Sequence, residues 1–290
     1  MKNICFCFQM HSPYRLKRYR FFEIGHDHYY YDDMATEEHV NWLVQTSYLP
    51  LCHTLRDMIS LSKGKFHCAL SVSGTMIEMF EQFNPEMIDI LKELAATKCV
   101  EFVATPYSYS LASEYSESEM KAQLQQQGKL IESLLGVKTQ TIWNTELLYT
   151  DETAYTLGKM GYKTIMTEGA KHILSWKSPN YVYQSATSSK TKVLLRNTAL
   201  SDELSFHFSD PTWSHFPLDA EKYADRIQGL PEDEQLINIW VGAETFGIRQ
   251  QAESGIFDFL KALPYYVLER EMSFMTPSEA AKKLATNDVV

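Results

Sequence analysis

Leu236-Ile237-Asn238-Ile239-Trp240-Val241 is a six-residue run, rich in β-branched and aromatic side chains and apolar on both faces of an extended chain. A strand with water on one side alternates polar and apolar residues. One covered by helices on both sides does not, and sheets covered in that way are parallel. Outward from this run, comparable strand-like segments lie at 4–10, 65–73, 100–104, 139–145, 163–167 and 192–196, with a weaker one at 273–275. Helix-like stretches fall between them, near 37–63, 85–97, 116–135, 151–160, 219–228, 254–269 and 277–285. Pro85 stands where its missing N–H costs a helix nothing, and Ser116-Glu117-Ser118-Glu119 reads as a capped helix start. Strands that alternate with helices pair through right-handed crossovers. Seven or eight such units in 290 residues predict an α/β fold, a closed (β/α) barrel of the TIM-like kind rather than an open sheet.

Composition narrows the function. The chain has 27 Lys+Arg against 37 Asp+Glu, a net charge of −10, which opposes a nucleic-acid or anionic-membrane partner. No apolar run approaches the ~20 residues of a spanning helix. The start, Met1-Lys2-Asn3-Ile4-Cys5-Phe6, enters a strand without a secretory signal pattern, so a cytoplasmic location is expected. The five cysteines, Cys5, Cys7, Cys52, Cys68 and Cys99, are odd in number and form no C-x-x-C. Buried free thiols explain them, and neither a metal nor a cofactor is expected. The dinucleotide, phosphate-loop, nucleophile-elbow and H-E-x-x-H motifs are all missing.

In barrels of this kind the chemistry sits where strands end. His11, Ser73, Thr105, Tyr107, Tyr109, Asn144, Thr145, Glu146, Thr167, Glu168 and Glu244 all follow strand-like runs. Glu146 ends the apolar stretch Thr141-Ile142-Trp143, and a carboxylate in apolar company has either a task or a partner. Glu244 reads equally well as a site carboxylate or as an acid in the first turn of a helix. Two carboxylates across one mouth would suit glycosidic chemistry. Tyr107, Tyr109, Trp143 and Trp176 could supply flat platforms for sugar rings. His26-Asp27-His28 has metal-ligand character but reads more simply as a polar loop.

Longer strings carry a family pattern. Glu244-Thr245-Phe246-Gly247 with Gly255-Ile256-Phe257-Asp258-Phe259-Leu260-Lys261-Ala262-Leu263-Pro264 is the most specific. Arg20-Phe21-Phe22-Glu23-Ile24-Gly25, Tyr29-Tyr30-Tyr31-Asp32-Asp33 and Thr167-Glu168-Gly169-Ala170-Lys171-His172-Ile173-Leu174 join it. On these the chain resembles glycoside hydrolase family 57, within its α-amylase and α-amylase-like group. The resemblance implies an incomplete, seven-stranded (β/α) barrel spanning 1–290, without the helical region that often follows it in that family. It also implies a retaining reaction on α-glucan or maltooligosaccharide, with a Glu nucleophile after the fourth strand and an Asp acid/base after the seventh. Asn144-Thr145-Glu146 matches the nucleophile motif. The acid motif, Asp-x-Glu-Thr-Phe-Gly, reads Gly242-Ala243-Glu244-Thr245-Phe246-Gly247 here, so the acid position holds no side chain.

Other positions depart as well. The first motif, His-Gln-Pro, is His11-Ser12-Pro13, and the run after strand three is Thr105-Pro106-Tyr107-Ser108-Tyr109-Ser110-Leu111, short of a carboxylate and an imidazole. After Gly247 stand Ile248-Arg249 in place of Glu-His. The departures gather on one site while the scaffold strings persist, so impaired catalysis with retained glucan binding is expected. Glu244 as a substitute acid is the alternative, although a residue two places along a strand sits about 6.6 Å further on. It would face the mouth only if the strand continued. A metal-dependent carbohydrate deacetylase using His11, His26 or His28, and a scaffold for a protein partner, are further readings.

Overall fold

A computed structural model describes residues 1–290. Seven parallel strands form the barrel wall: β1 (Asn3–Met10), β2 (Cys68–Val72), β3 (Val100–Val103), β4 (Thr141–Trp143), β5 (Thr164–Glu168), β7 (Ser188–Arg196) and β8 (Leu236–Gly242). β1 pairs with β8 on one side and β2 on the other, β2 pairs with β3, β4 with β5, and β5 with β7. A bridge between Ala104 and Ile142 joins β3 to β4. The wall is an incomplete (β/α)7 barrel, because β7 and β8 never form a ladder. Asn197 N donates to Asn238 O at 2.8 Å, and Asn238 Nδ2 donates to Leu195 O at 2.8 Å. Arg196 fastens the same seam. Its Nε donates to Trp240 O at 2.8 Å, and its other nitrogens reach Glu168 at 3.3 Å and Asp202 at 2.6 Å.

The apolar-on-both-faces pattern has a direct cause. On β8, Ile237, Ile239 and Val241 face the helices and join the large core cluster with Ile4, Phe6, Phe8 and Met10 of β1. Leu236 and Trp240 turn inward and fill the barrel with Cys5, Cys7, Ala69, Val103, Trp143, Met166 and Leu194. All five cysteines are buried and free. Burial pushes the Cys52 thiol up to about 12, far from reactive. No helix is long and apolar enough to cross a membrane.

Several elements differ from the reading above. The helical stretch begins at Asp33, where the Asp32 side chain caps Ala35 N, and it contains a π-turn, Val44–Tyr48. Pro50 explains the turn, because it has no N–H for the carbonyl of Thr46 four residues earlier. A helix at Gly74–Phe83, capped by Ser73, precedes the expected helix that begins at Pro85. A hairpin also adds β6 (Val182–Ser185) antiparallel to β7. The weak strand expected at 273–275 is present as Ser273–Phe274 (β9), paired with β1, whereas Thr286–Val289 (β10) adds a strand beside β6.

The helix Pro277–Lys283 contacts β1, β5 and β7, and there Glu279 lies 2.8 Å from His67 Nδ1. The hydrogen bond to Glu279 raises the His67 pKa above its ordinary 6.5. In return the His67 bond holds Glu279 at about 2, below its usual 4.5. The histidine contribution is complete below pH 6.5 and is lost as pH rises through the raised value. The glutamate contribution is complete above pH 4.5 and is lost as pH falls toward 2. The stability lost in His67→Gln, measured by urea unfolding against pH, should therefore be largest between pH 4.5 and 6.5. A difference flat from pH 4 to 9 would remove this pair from the account.

Candidate active site

At the strand ends, one connected group of side chains spans the mouth. β1 delivers His11, whose Nδ1 lies 2.9 Å from Ser73 Oγ at the end of β2. Burial lowers the His11 pKa to about 4, so its imidazole is neutral near pH 7. Its ring packs against Tyr109, with centroids 4.7 Å apart. The Tyr109 hydroxyl receives Trp143 Nε1 at 3.3 Å and Glu146 N at 3.3 Å. Burial, and then the Glu146 carboxylate, push Tyr109 up to about 12. On the other side of His11, the Tyr48 hydroxyl donates to His11 O at 3.3 Å and to Glu244 Oε1. Two tyrosines thus tie both glutamates to His11, Tyr109 through the His11 ring and the Glu146 backbone N–H, and Tyr48 through the His11 carbonyl and the Glu244 carboxylate.

Backbone strain concentrates here. Tyr109 has φ +52°, Glu146 +51° and Leu147 +57°, three non-glycine residues in the left-handed region. The surroundings enforce this. Thr145 Oγ1 donates to Ser110 O at 2.7 Å, Asn144 Nδ2 to Leu148 O at 3.0 Å, and Thr167 Oγ1 to Leu147 O at 2.9 Å. Asn144 Oδ1 is buried without a partner. The turn exposes Glu146 while burying Leu147. Glu146→Gly should relieve strain and raise stability by up to about 1 kcal/mol. Thermal unfolding checks this, and a lower melting temperature would mean that the carboxylate itself stabilises the turn.

Gly242 ends β8, facing inward with Leu236, Asn238 and Trp240. The strand does not continue to Glu244, because Ala243–Thr245 forms a 3₁₀ turn. The expectation that only a longer strand could aim Glu244 at the mouth is corrected by that turn. It folds the side chain back until Glu244 Oε2 lies 2.8 Å from where a Cβ at residue 242 would stand. The carboxylate occupies the space of the missing side chain. Burial raises its pKa against the lowering effect of the Tyr48 hydrogen bond.

The aromatic platforms fare differently. Tyr107 is buried with its ring flat against Gly74 and its hydroxyl donating to Glu78 at 2.5 Å, so it presents no face to a ligand. Trp143 is buried beneath Tyr109, with its ring 6.1 Å from that of Trp240. Trp176 stands exposed and makes no side-chain hydrogen bond to the group. Tyr109 alone of the four both borders the mouth and keeps part of its surface open. A cleft of about 660 Å³ opens beside Glu146, walled by Leu148, Tyr149, Glu168, Ile173 and Val290 among others. His26 and His28 lie on the exposed loop after β1, and no three His, Cys, Asp or Glu side chains gather as metal ligands anywhere in the chain. Tyr48 is the site residue that sequence reasoning missed. Its one signal is Pro50, which forces the π-turn that aims it.

Comparison with known proteins agrees with the barrel. Residues 5–290 match the sequence profile of Glycosyl hydrolase family 57. A Methanocaldococcus jannaschii protein named "Putative alpha-amylase" is 34% identical over 288 residues, which cover 97% of this chain and 60% of the relative. The 4-alpha-glucanotransferase of Thermococcus litoralis superposes with a TM-score of 0.76 at 16% identity, over 100% of this chain and 42% of that one. The alpha-amylase AmyC of Thermotoga maritima gives 0.70 at 14% identity, over 100% of this chain and 76% of that one. At these identities the two structures establish the barrel alone. The chain spans about 60% of the curated relative's length.

Proposed function

The chain belongs to glycosyl hydrolase family 57, and on that premise we propose that its mouth binds α-glucan with Glu146 as nucleophile but transfers protons poorly. The observation that carries this is the pairing of a strained, exposed Glu146 with a glycine at 242. In a retaining reaction the Glu146 carboxylate would attack the anomeric carbon as the bond to the leaving oxygen breaks. That oxygen must take a proton as it departs. At Gly242 there is no group to give one, and general acid catalysis is worth about 10²–10⁴-fold.

A leaving group that needs no proton separates the two halves of the reaction. α-Maltosyl fluoride should release fluoride in a Glu146-dependent first turnover, slowed afterwards because the group missing at 242 is also the base for the water that frees the enzyme, and Glu146→Gln should stop the release. Maltoheptaose, incubated overnight and resolved by chromatography, should stay nearly unchanged with either protein. Robust maltoheptaose cleavage that vanishes in Glu146→Gln would refute the impairment. Absence of both fluoride release and saturable maltoheptaose binding would refute the glucan assignment.

A second reading rests on one contact. Glu244 lies in the space of the missing side chain, and burial favours its protonated form. In that reading Glu244 replaces the acid, and maltoheptaose cleavage would be lost in Glu244→Gln while the first release of fluoride survives.

A further inference from the structure

At the opposite pole of the barrel, Lys163, Lys190, Lys192 and Lys282 line a cavity of about 520 Å³. They arrive from three elements. Lys192 pairs with Thr164 across β7 and β5, and its N–H donates to Lys163 O at 2.8 Å, so Lys163 and Lys192 are side by side. Lys190 precedes Lys192 by two residues and shares its strand face. Lys282 comes from the last turn of the helix Pro277–Lys283.

None of the four is in an ion pair, and the neighbouring carboxylates are already engaged. Asp288 pairs with Lys177, and Glu279, which also lines the cavity, is held by His67, Lys283 and Thr276 N. Lys192 lies on the same strand face as Leu194, which packs inside the barrel, and its ammonium donates only to Thr286 Oγ1. In a chain of net charge −10, four unpaired cations gathered from separate elements repel one another unless an anion joins them.

We propose that this cavity binds the phosphate group of a small ligand. Lysines act there as point charges on ionised oxygens. The hydroxyl-bearing Thr164 and Ser278 on the lining provide neutral partners. A volume of about 520 Å³ accommodates pyrophosphate or a hexose phosphate, whereas a nucleic-acid strand needs an extended groove.

Calorimetric titration at fixed ionic strength tests this, with pyrophosphate and glucose 6-phosphate as probes and chloride as the control. A Kd of about 1 mM or tighter is expected for at least one probe. A Lys163→Gln/Lys190→Gln/Lys282→Gln variant, altered only at exposed positions, should weaken it at least about tenfold through lost charge. Lys192→Gln alone should also weaken it. Preference for the hexose phosphate would assign a phosphorylated sugar, and the reverse preference an inorganic anion. Binding to maltoheptaose at the mouth should be the same in all variants, which keeps this test independent of the glucan reading. No saturable heat, or equal affinity in the triple variant, would overturn the proposal. So would an oligonucleotide that binds more tightly than either probe and loses affinity in the triple variant.

Discussion

Gly242→Asp is expected to raise maltoheptaose hydrolysis by about 10²–10⁴-fold, the usual worth of a general acid. The backbone is ready for it. Gly242 has φ −64° and ψ 140°, extended geometry that any residue adopts. Its direction is right as well, since it continues the inward face of Leu236, Asn238 and Trp240. The one obstacle is Glu244 Oε2, 2.8 Å from the new Cβ, and that atom is the tip of a flexible side chain. A new carboxyl beside Glu244 would also feel like-charge repulsion, which raises the pKa of one of the pair and favours the protonated acid. Retaining chemistry requires this acid about 5–5.5 Å from the nucleophile. Product chromatography with Gly242→Asn as the control provides the measurement. An Asp variant that folds but cleaves no faster than the Asn variant would mean that more than the acid has been lost. The departures at Thr105–Tyr109 and at Ile248-Arg249 would then carry the blame.

Much of the fold was legible because burial writes itself into strands on both faces. The runs at 4–10 and 236–241 are apolar on both faces except for Gln9 and Asn238, since one face meets helices and the other fills the barrel. The hairpin Val182–Ser185 with the start of β7 was not legible, because Gln184, Ser188, Ser189 and Lys190 are polar and at most partly covered, and Ser185 is polar although buried. Thr286–Val289 hid for the same reason, being mostly exposed beside β6. Within the site, Glu146 could be placed by counting along strands, and Gly242 only through the family motif that the chain resembles. Tyr48 could not, since its direction depends on a π-turn, and helical periodicity assumes 3.6 residues per turn. Tyr107 and Trp143 fail as platforms on a different point. An aromatic residue near a strand end satisfies the pattern whether it faces a ligand or, like Tyr107, packs on Gly74.

Gly247→Ala is expected to be the most destabilising single-atom addition near the site, at about 2–6 kcal/mol. Two costs combine. Gly247 has φ +97°, where a side chain brings roughly 1–3 kcal/mol of strain. Its added Cβ would also stand 2.0 Å from Thr46 O, and overpacking costs about 1–3 kcal/mol more. The clash meets backbone rather than a movable tip, so one segment must shift. Thr46 lies in the π-turn that Pro50 imposes, and the same turn aims Ser47 at Ala243 O, 2.8 Å away, and Tyr48 at Glu244. Displacing it would loosen the carboxylate that now fills the space at residue 242. The glycine of the Glu244-Thr245-Phe246-Gly247 string is therefore required by the approach of a helix carbonyl. Urea unfolding gives the magnitude, with Gly25→Ala as a reference, since Gly25 also has positive φ (+79°) but open space around its Cβ position. A Gly247→Ala loss no greater than that at Gly25 would show that the π-turn yields freely, and Tyr48 would then lose its claim to a fixed position beside Glu244.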